Sequence, residues 1–148
     1  MISPELLRSY HHFAGVDEEL LRRIAMIADC ETHQPGDTIV RDGEPATKLY
    51  LIEYGEVDVG YEVGHKKFQP VDTLVAGELL VWSALVDPYV STAIARCRTE
   101  SQLVAINAPK LRKLCDEHPE LGYILLQSIN KVLADRLTNA RVQLVGAG

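Results

Sequence analysis

The chain has 148 residues, the size of one domain, and is long enough to bury a continuous core without metals or disulfides. At 47% apolar and 24% charged it is not a disordered or low-complexity protein, and its formal net charge of −6 opposes binding to the phosphate backbone of a nucleic acid. No apolar run approaches the roughly 20 residues of a membrane span, and Met1-Ile2-Ser3-Pro4-Glu5 lacks the basic and apolar regions of a signal peptide, so a cytoplasmic protein with neither nucleic acid nor membrane as partner is expected.

Asp17-Glu18-Glu19 places an N-cap and two acids before Leu20, Leu21, Ile24, Ile27 and Ala28, a spacing that predicts a helix over residues 18–28. From Glu31 the pattern breaks into short segments divided by Gln34-Pro35-Gly36-Asp37, Asp42-Gly43-Glu44-Pro45, Gly55, Gly60 and Gly64, and turns this frequent predict many short strands. The clearest is Gly55 to Val63, where Val57, Val59, Tyr61 and Val63 alternate with Asp58, Gly60 and Glu62, one face buried and the other wet. Lys48 to Tyr54, Phe68 to Val75, Tyr89 to Ala95 and Ser101 to Ile106 read as further strands, the third of these also compatible with a helix. Helical periodicity returns over Pro109 to Glu117, and Pro119 starts a longer helix running to about Leu144. The expected fold is mainly β with flanking α: a rolled sheet over about 30–107, with an N-terminal helix and two C-terminal helices, in a single domain.

Cys30, Cys97 and Cys115 are widely separated and form no CxxC pair, so reduced, mostly buried thiols are expected. His33, His65 and His118 are isolated and His11-His12 precedes the strands, which leaves a metal enzyme on a similar roll without its ligand spacing. No Walker loop, nucleophile elbow or HExxH run occurs, and no catalytic residue or cofactor is predicted.

Several segments in order carry a resemblance: Phe13 with Val16, Pro35-Gly36-Asp37-Thr38-Ile39, Asp42-Gly43-Glu44-Pro45-Ala46, Leu49-Tyr50-Leu51-Ile52, Gly55-Glu56-Val57, and above all Gly77-Glu78-Leu79-Leu80 with the apolar residues after it. Over roughly residues 13–144 the chain resembles the cyclic-nucleotide-binding domain of catabolite-activator-type regulators, kinases and channels. The resemblance implies a double-stranded β-helix, or jelly roll, acting as a non-catalytic sensor. It places a ligand at Gly77, Glu78, Leu79 and Leu80, with Glu78 accepting from a ribose hydroxyl. Leu79 and Leu80 would lend N–H groups to the cyclic phosphate at a helix start.

The family follows this cassette with an arginine that pairs with the phosphate. Here the text reads Asp87-Pro88-Tyr89-Val90-Ser91-Thr92-Ala93, and either Ser91 or Val90 falls in that position according to the direction of counting. Ser91 and Thr92 offer hydroxyls without charge. Losing one partner of a buried charge pair costs about 2 to 5 kcal/mol, so cyclic AMP or cyclic GMP is expected to bind weakly or to give way to another ligand. A substitute cation from Arg96, Arg98 or His65-Lys66-Lys67 is not favoured, because period two turns Arg96 away if Ser91 points inward.

Leu126, Ile129, Leu133, Leu137, Ala140 and Leu144 recur every three or four residues and read as a seam for a partner helix. Because the family commonly dimerises there, a homodimer is expected, with Asp135 and Arg136 as surface charges beside the seam and Arg141 near where the family's helix reaches the purine. Family regulators continue into a winged helix-turn-helix, whereas this sequence stops at Gly146-Ala147-Gly148, so the expectation is a domain that either acts alone, signalling to a separate protein partner, or has lost its output domain. The alternative is a degenerate member that binds no nucleotide and serves dimerisation or protein interaction.

Overall fold

A computed structural model describes residues 1–147 of the chain. Short α1 (Pro4–Arg8) and a 3-10 turn (His11–Phe13) precede α2 (Glu18–Met26), whose start is capped as the sequence demands: Asp17 Oδ1 accepts from the N–H groups of Glu19 at 2.8 Å and Leu20 at 3.3 Å. Eight strands follow: β1 (Ala28–His33), β2 (Thr38–Val40), β3 (Lys48–Tyr54), β4 (Val57–Val63), β5 (Lys67–Leu74), β6 (Leu79–Leu80), β7 (Ile94–Cys97) and β8 (Ser101–Asn107). A second 3-10 turn (Trp82–Leu85) lies between β6 and β7. The chain then enters α3 (Ala108–Glu117), capped by Asn107 Oδ1 on the Lys110 N–H, and α4 (Pro119–Ala147).

The strands form two four-stranded antiparallel sheets, ordered β1-β8-β3-β6 and β2-β7-β4-β5, and these make the expected jelly roll. Leu103, Val104, Ala105 and Ile106 of β8 are all buried. Alternation disappears there because α3 packs on β3 and β8, so both faces of that sheet are covered and both require apolar residues. Phe13, Leu21, Ile24, Leu111, Leu121, Leu125 and Ile129 join the helices to the core of the roll.

The structure departs from the sequence reading in several places: the first helix ends at Met26 and Ala28 already belongs to β1, and neither β1 nor β2 was among the expected strands. The strand expected from Gly55 begins at Val57, because Gly55 takes φ +102° in a turn where a Cβ would lie 2.6 Å from the Glu100 carbonyl oxygen. Beyond Val57 this strand is not simply half-buried: Tyr61 and Val63 are exposed, and the register against β5 shifts between Val59 and Gly60. The strand expected over Tyr89 to Ala95 is largely irregular. Tyr89 has φ +61°, Val90 makes only an isolated bridge to Pro45, and regular pairing starts at Ile94. No described helix is long and apolar enough to cross a membrane.

Candidate ligand site

Between the β4–β5 hairpin, the Thr92-Ala93 segment and α4 lies a half-open cavity of about 680 Å3. Val59, Tyr61, Asp72, Trp82 and Thr92 line it from the roll, and Leu133, Arg136 and Leu137 from α4. Tyr61 faces this space from β4, and Val59 borders it while packing on the core. The volume suits a small molecule.

The cassette sits beside the cavity in a form the sequence did not suggest. Gly77 takes φ +91°, as a tight turn requires, and its N–H donates to the Ile52 carbonyl at 2.8 Å. Leu79 and Leu80 are not the first turn of a helix but strand β6, opposite Leu51 and Tyr50, with both side chains buried. Helical geometry begins only at Trp82, after Val81 in the left-handed region at φ +64°. Pairing with β3, a contact distant in sequence, overrides the local tendency of Glu-Leu-Leu to turn. The Glu78 carboxylate folds back to accept from the Val75 N–H at 2.7 Å, and it does not line the cavity.

Between β6 and the segment before β7 lies a smaller space of about 30 Å3, with Leu80, Ser91, Thr92, Trp82 and Arg136 among its walls. It holds about one water. Of the two residues in the arginine position, Ser91 reaches this space and Val90 does not. Ser91 is buried and its hydroxyl donates to the Ala93 carbonyl at 2.8 Å, whereas Thr92 is exposed and borders both spaces. Arg96 stacks over the Phe68 ring at 4.4 Å, and neither it nor Arg98, His65, Lys66 or Lys67 lines either space.

One cation does line both, and the sequence reading placed it on the surface. Arg136 is half-buried, and its Nη2 donates to the Leu79 carbonyl at 3.0 Å. Burial pulls its pKa down while Asp72 and Glu78 nearby push it up, and the guanidinium stays charged. The signal was available: Arg136 lies three residues beyond Leu133 and seven beyond Ile129, on the inward row of α4. Trp82 and His12 were also overlooked as contributors. The buried His12 ring donates from Nε2 to the Gly77 carbonyl at 3.3 Å, and its Nδ1 accepts from the Ser128 hydroxyl, joining the cassette turn to α4. Burial, with His11 alongside, lowers its pKa to about 4.

The seam on α4 divides in two. Ile129 is buried in the core of its own chain and is unavailable to a partner; Leu133 packs on that core. Leu133, Leu137 and Ala140 border the cavity, while Leu126, Leu137 and Leu144 are exposed. Among the described residues no group of three or more His, Cys, Asp or Glu side chains is placed to hold a metal ion.

Comparison with known proteins agrees with this fold. The profile of the family described as cyclic nucleotide-binding domain matches residues 30–118. A protein from Geobacter metallireducens GS-15 whose crystal structure is described as a cyclic nucleotide-binding protein is 31% identical with a TM-score of 0.84, covering 93% of this chain and 99% of that one. A cyclic nucleotide-binding domain from Methylobacillus flagellatus KT shares the fold at TM-score 0.78 and 19% identity, covering 97% and 81%. The CRP-like cAMP-activated global transcriptional regulator of Mycobacterium tuberculosis is 26% identical over 133 residues, and the mouse hyperpolarization-activated cyclic nucleotide-gated channel 2 is 27% identical over 133. Those matches cover 90% of this chain but only 58% of the regulator and 14% of the channel. The roll, its flanking helices and the matched span together identify the chain as a member of the cyclic nucleotide-binding domain family, a regulatory and non-catalytic domain.

Proposed function

We propose that the chain is a ligand sensor whose ligand enters the cavity between the roll and α4, and that it works as a homodimer through α4. The observation that carries this reading is the cavity of about 680 Å3 with Trp82 and Tyr61 in its walls, which offers aromatic surface to a planar ring. Cyclic AMP and cyclic GMP are the reference ligands, because the relatives include a regulator named as cAMP-activated and a channel named as cyclic nucleotide-gated. Their affinity is weak and the preference altered, since Ser91 stands in the arginine position with its hydroxyl engaged by Ala93.

Calorimetry of the whole chain with cyclic AMP and cyclic GMP tests the reading. Weak heats are expected in the wild type, and Ser91→Arg is expected to tighten binding by tenfold or more. No heat from either nucleotide at millimolar concentration would favour the second reading, a domain that binds no nucleotide and acts through protein contacts. The observation on that side is the small space at Ser91, at about 30 Å3 too tight for a phosphate without movement of its walls.

A further inference from the structure

Arg136 has the position and the spare bonding capacity to do what Ser91 cannot. A guanidinium carries five N–H donors in a planar fork suited to two oxygens of one anion, and the bond to the Leu79 carbonyl uses one. Among the described residues no carboxylate comes within 4.0 Å of it, so its charge is not consumed by an ion pair. It is also the only Lys, Arg or His among the described residues that lines the cavity or the small space beside Ser91. From this placement we infer that Arg136 is the anion-binding residue of the site, so that the charge a ligand meets comes from α4 instead of from the roll.

Asp72, in the opposite wall, adds a second requirement. Its carboxylate accepts hydrogen bonds only, and it repels an anion placed next to it. Glu78 is already engaged by the Val75 N–H and imposes less. The ligand class that satisfies both walls is a small anion with its negative group at Arg136 and a hydroxyl or amino donor turned toward Asp72, with a flat body against Trp82. A ligand bonded this way ties α4 to the roll.

The inference rests on the cavity reading above, and two probes separate the two. Calorimetry is run on the wild type, Arg136→Gln and Arg136→Lys with cyclic AMP and with adenosine, which carries the ring and hydroxyls but no charge. Arg136→Gln is expected to weaken cyclic AMP about ten- to hundredfold and to leave adenosine unchanged, since a hydrogen bond to a charged group is worth this much. Arg136→Lys, which keeps the charge without the fork and covers a folding failure of the glutamine variant, is expected to lose less. Equal cyclic AMP affinity in wild type and variants overturns the inference and leaves the cavity reading intact. Equal weakening of both probes overturns it too, because it reports a structural role at Leu79. Adenosine binding without cyclic AMP binding removes the anion site alone, and binding of neither removes both readings.

Discussion

His12 and Ser91 show what single side chains contribute here. The ordinary pKa of histidine is 6.5, and burial holds that of His12 near 4, so between those values the unfolded chain takes up a proton that the folded chain refuses. The folded state therefore has the full benefit of neutral His12 above pH 6.5 and loses it as the pH falls toward 4, by up to about 3 kcal/mol. Urea midpoints measured from pH 7 to pH 4.5 are expected to fall, and the fall is expected to flatten in His12→Gln; an unchanged slope would mean that His12 is not the group responsible. This histidine did not stand out in the sequence, because its role comes from a contact across 65 positions of chain; Arg136 lay on a readable row of α4, but its bond to Leu79, 57 positions away, was not readable. Ser91 was readable as the missing arginine, but its bond to Ala93 was not, since a hydroxyl carries no directional pattern along the sequence.

At the scale of elements, what the sequence revealed follows from how local each signal is. α2, α3 and α4 were readable from caps and periodicity, and β3, β5 and β8 from apolar runs between turns, all within a residue or two except for the end of α4. β1, β2 and β6 were not, and the two residues of β6 become a strand only by pairing with β3. The segment over 89–93 was misread because Tyr89 enters the left-handed region, which a tyrosine shows no sign of in sequence. The stripe on α4 looked uniform but serves two ends. Ile129→Ala is accordingly expected to destabilise by about 2 to 5 kcal/mol and Leu144→Ala by about 0.5 kcal/mol or less, measured by urea denaturation at protein concentrations low enough to keep the chain monomeric. Equal losses at both positions would mean that the distal half of α4 is packed as firmly as the proximal half.

For the molecule as a whole, the proposed site is shared between the roll and α4. Beyond Leu133 this helix carries exposed Leu137, Val142, Leu144 and Val145, an apolar surface that a second copy would cover. Light scattering of the purified protein is expected to give the mass of a dimer, and Leu144→Glu is expected to give a monomer with an unchanged fold by circular dichroism; a monomeric wild type would sink the dimer proposal.

Val81 and Tyr89 bracket the segment that leads out of β6, and both hold positive φ, at +64° and +61°. Outside glycine this conformation lies about 1 to 2 kcal/mol above the right-handed one, and more so for a β-branched valine. The two ends of residues 82–88 thus behave like sprung pivots: the wall of the small space beside Ser91 is held above its local resting energy by the packing around it. Glycine enters the same region at no steric cost, so Val81→Gly or Tyr89→Gly would hold either pivot without this stored strain.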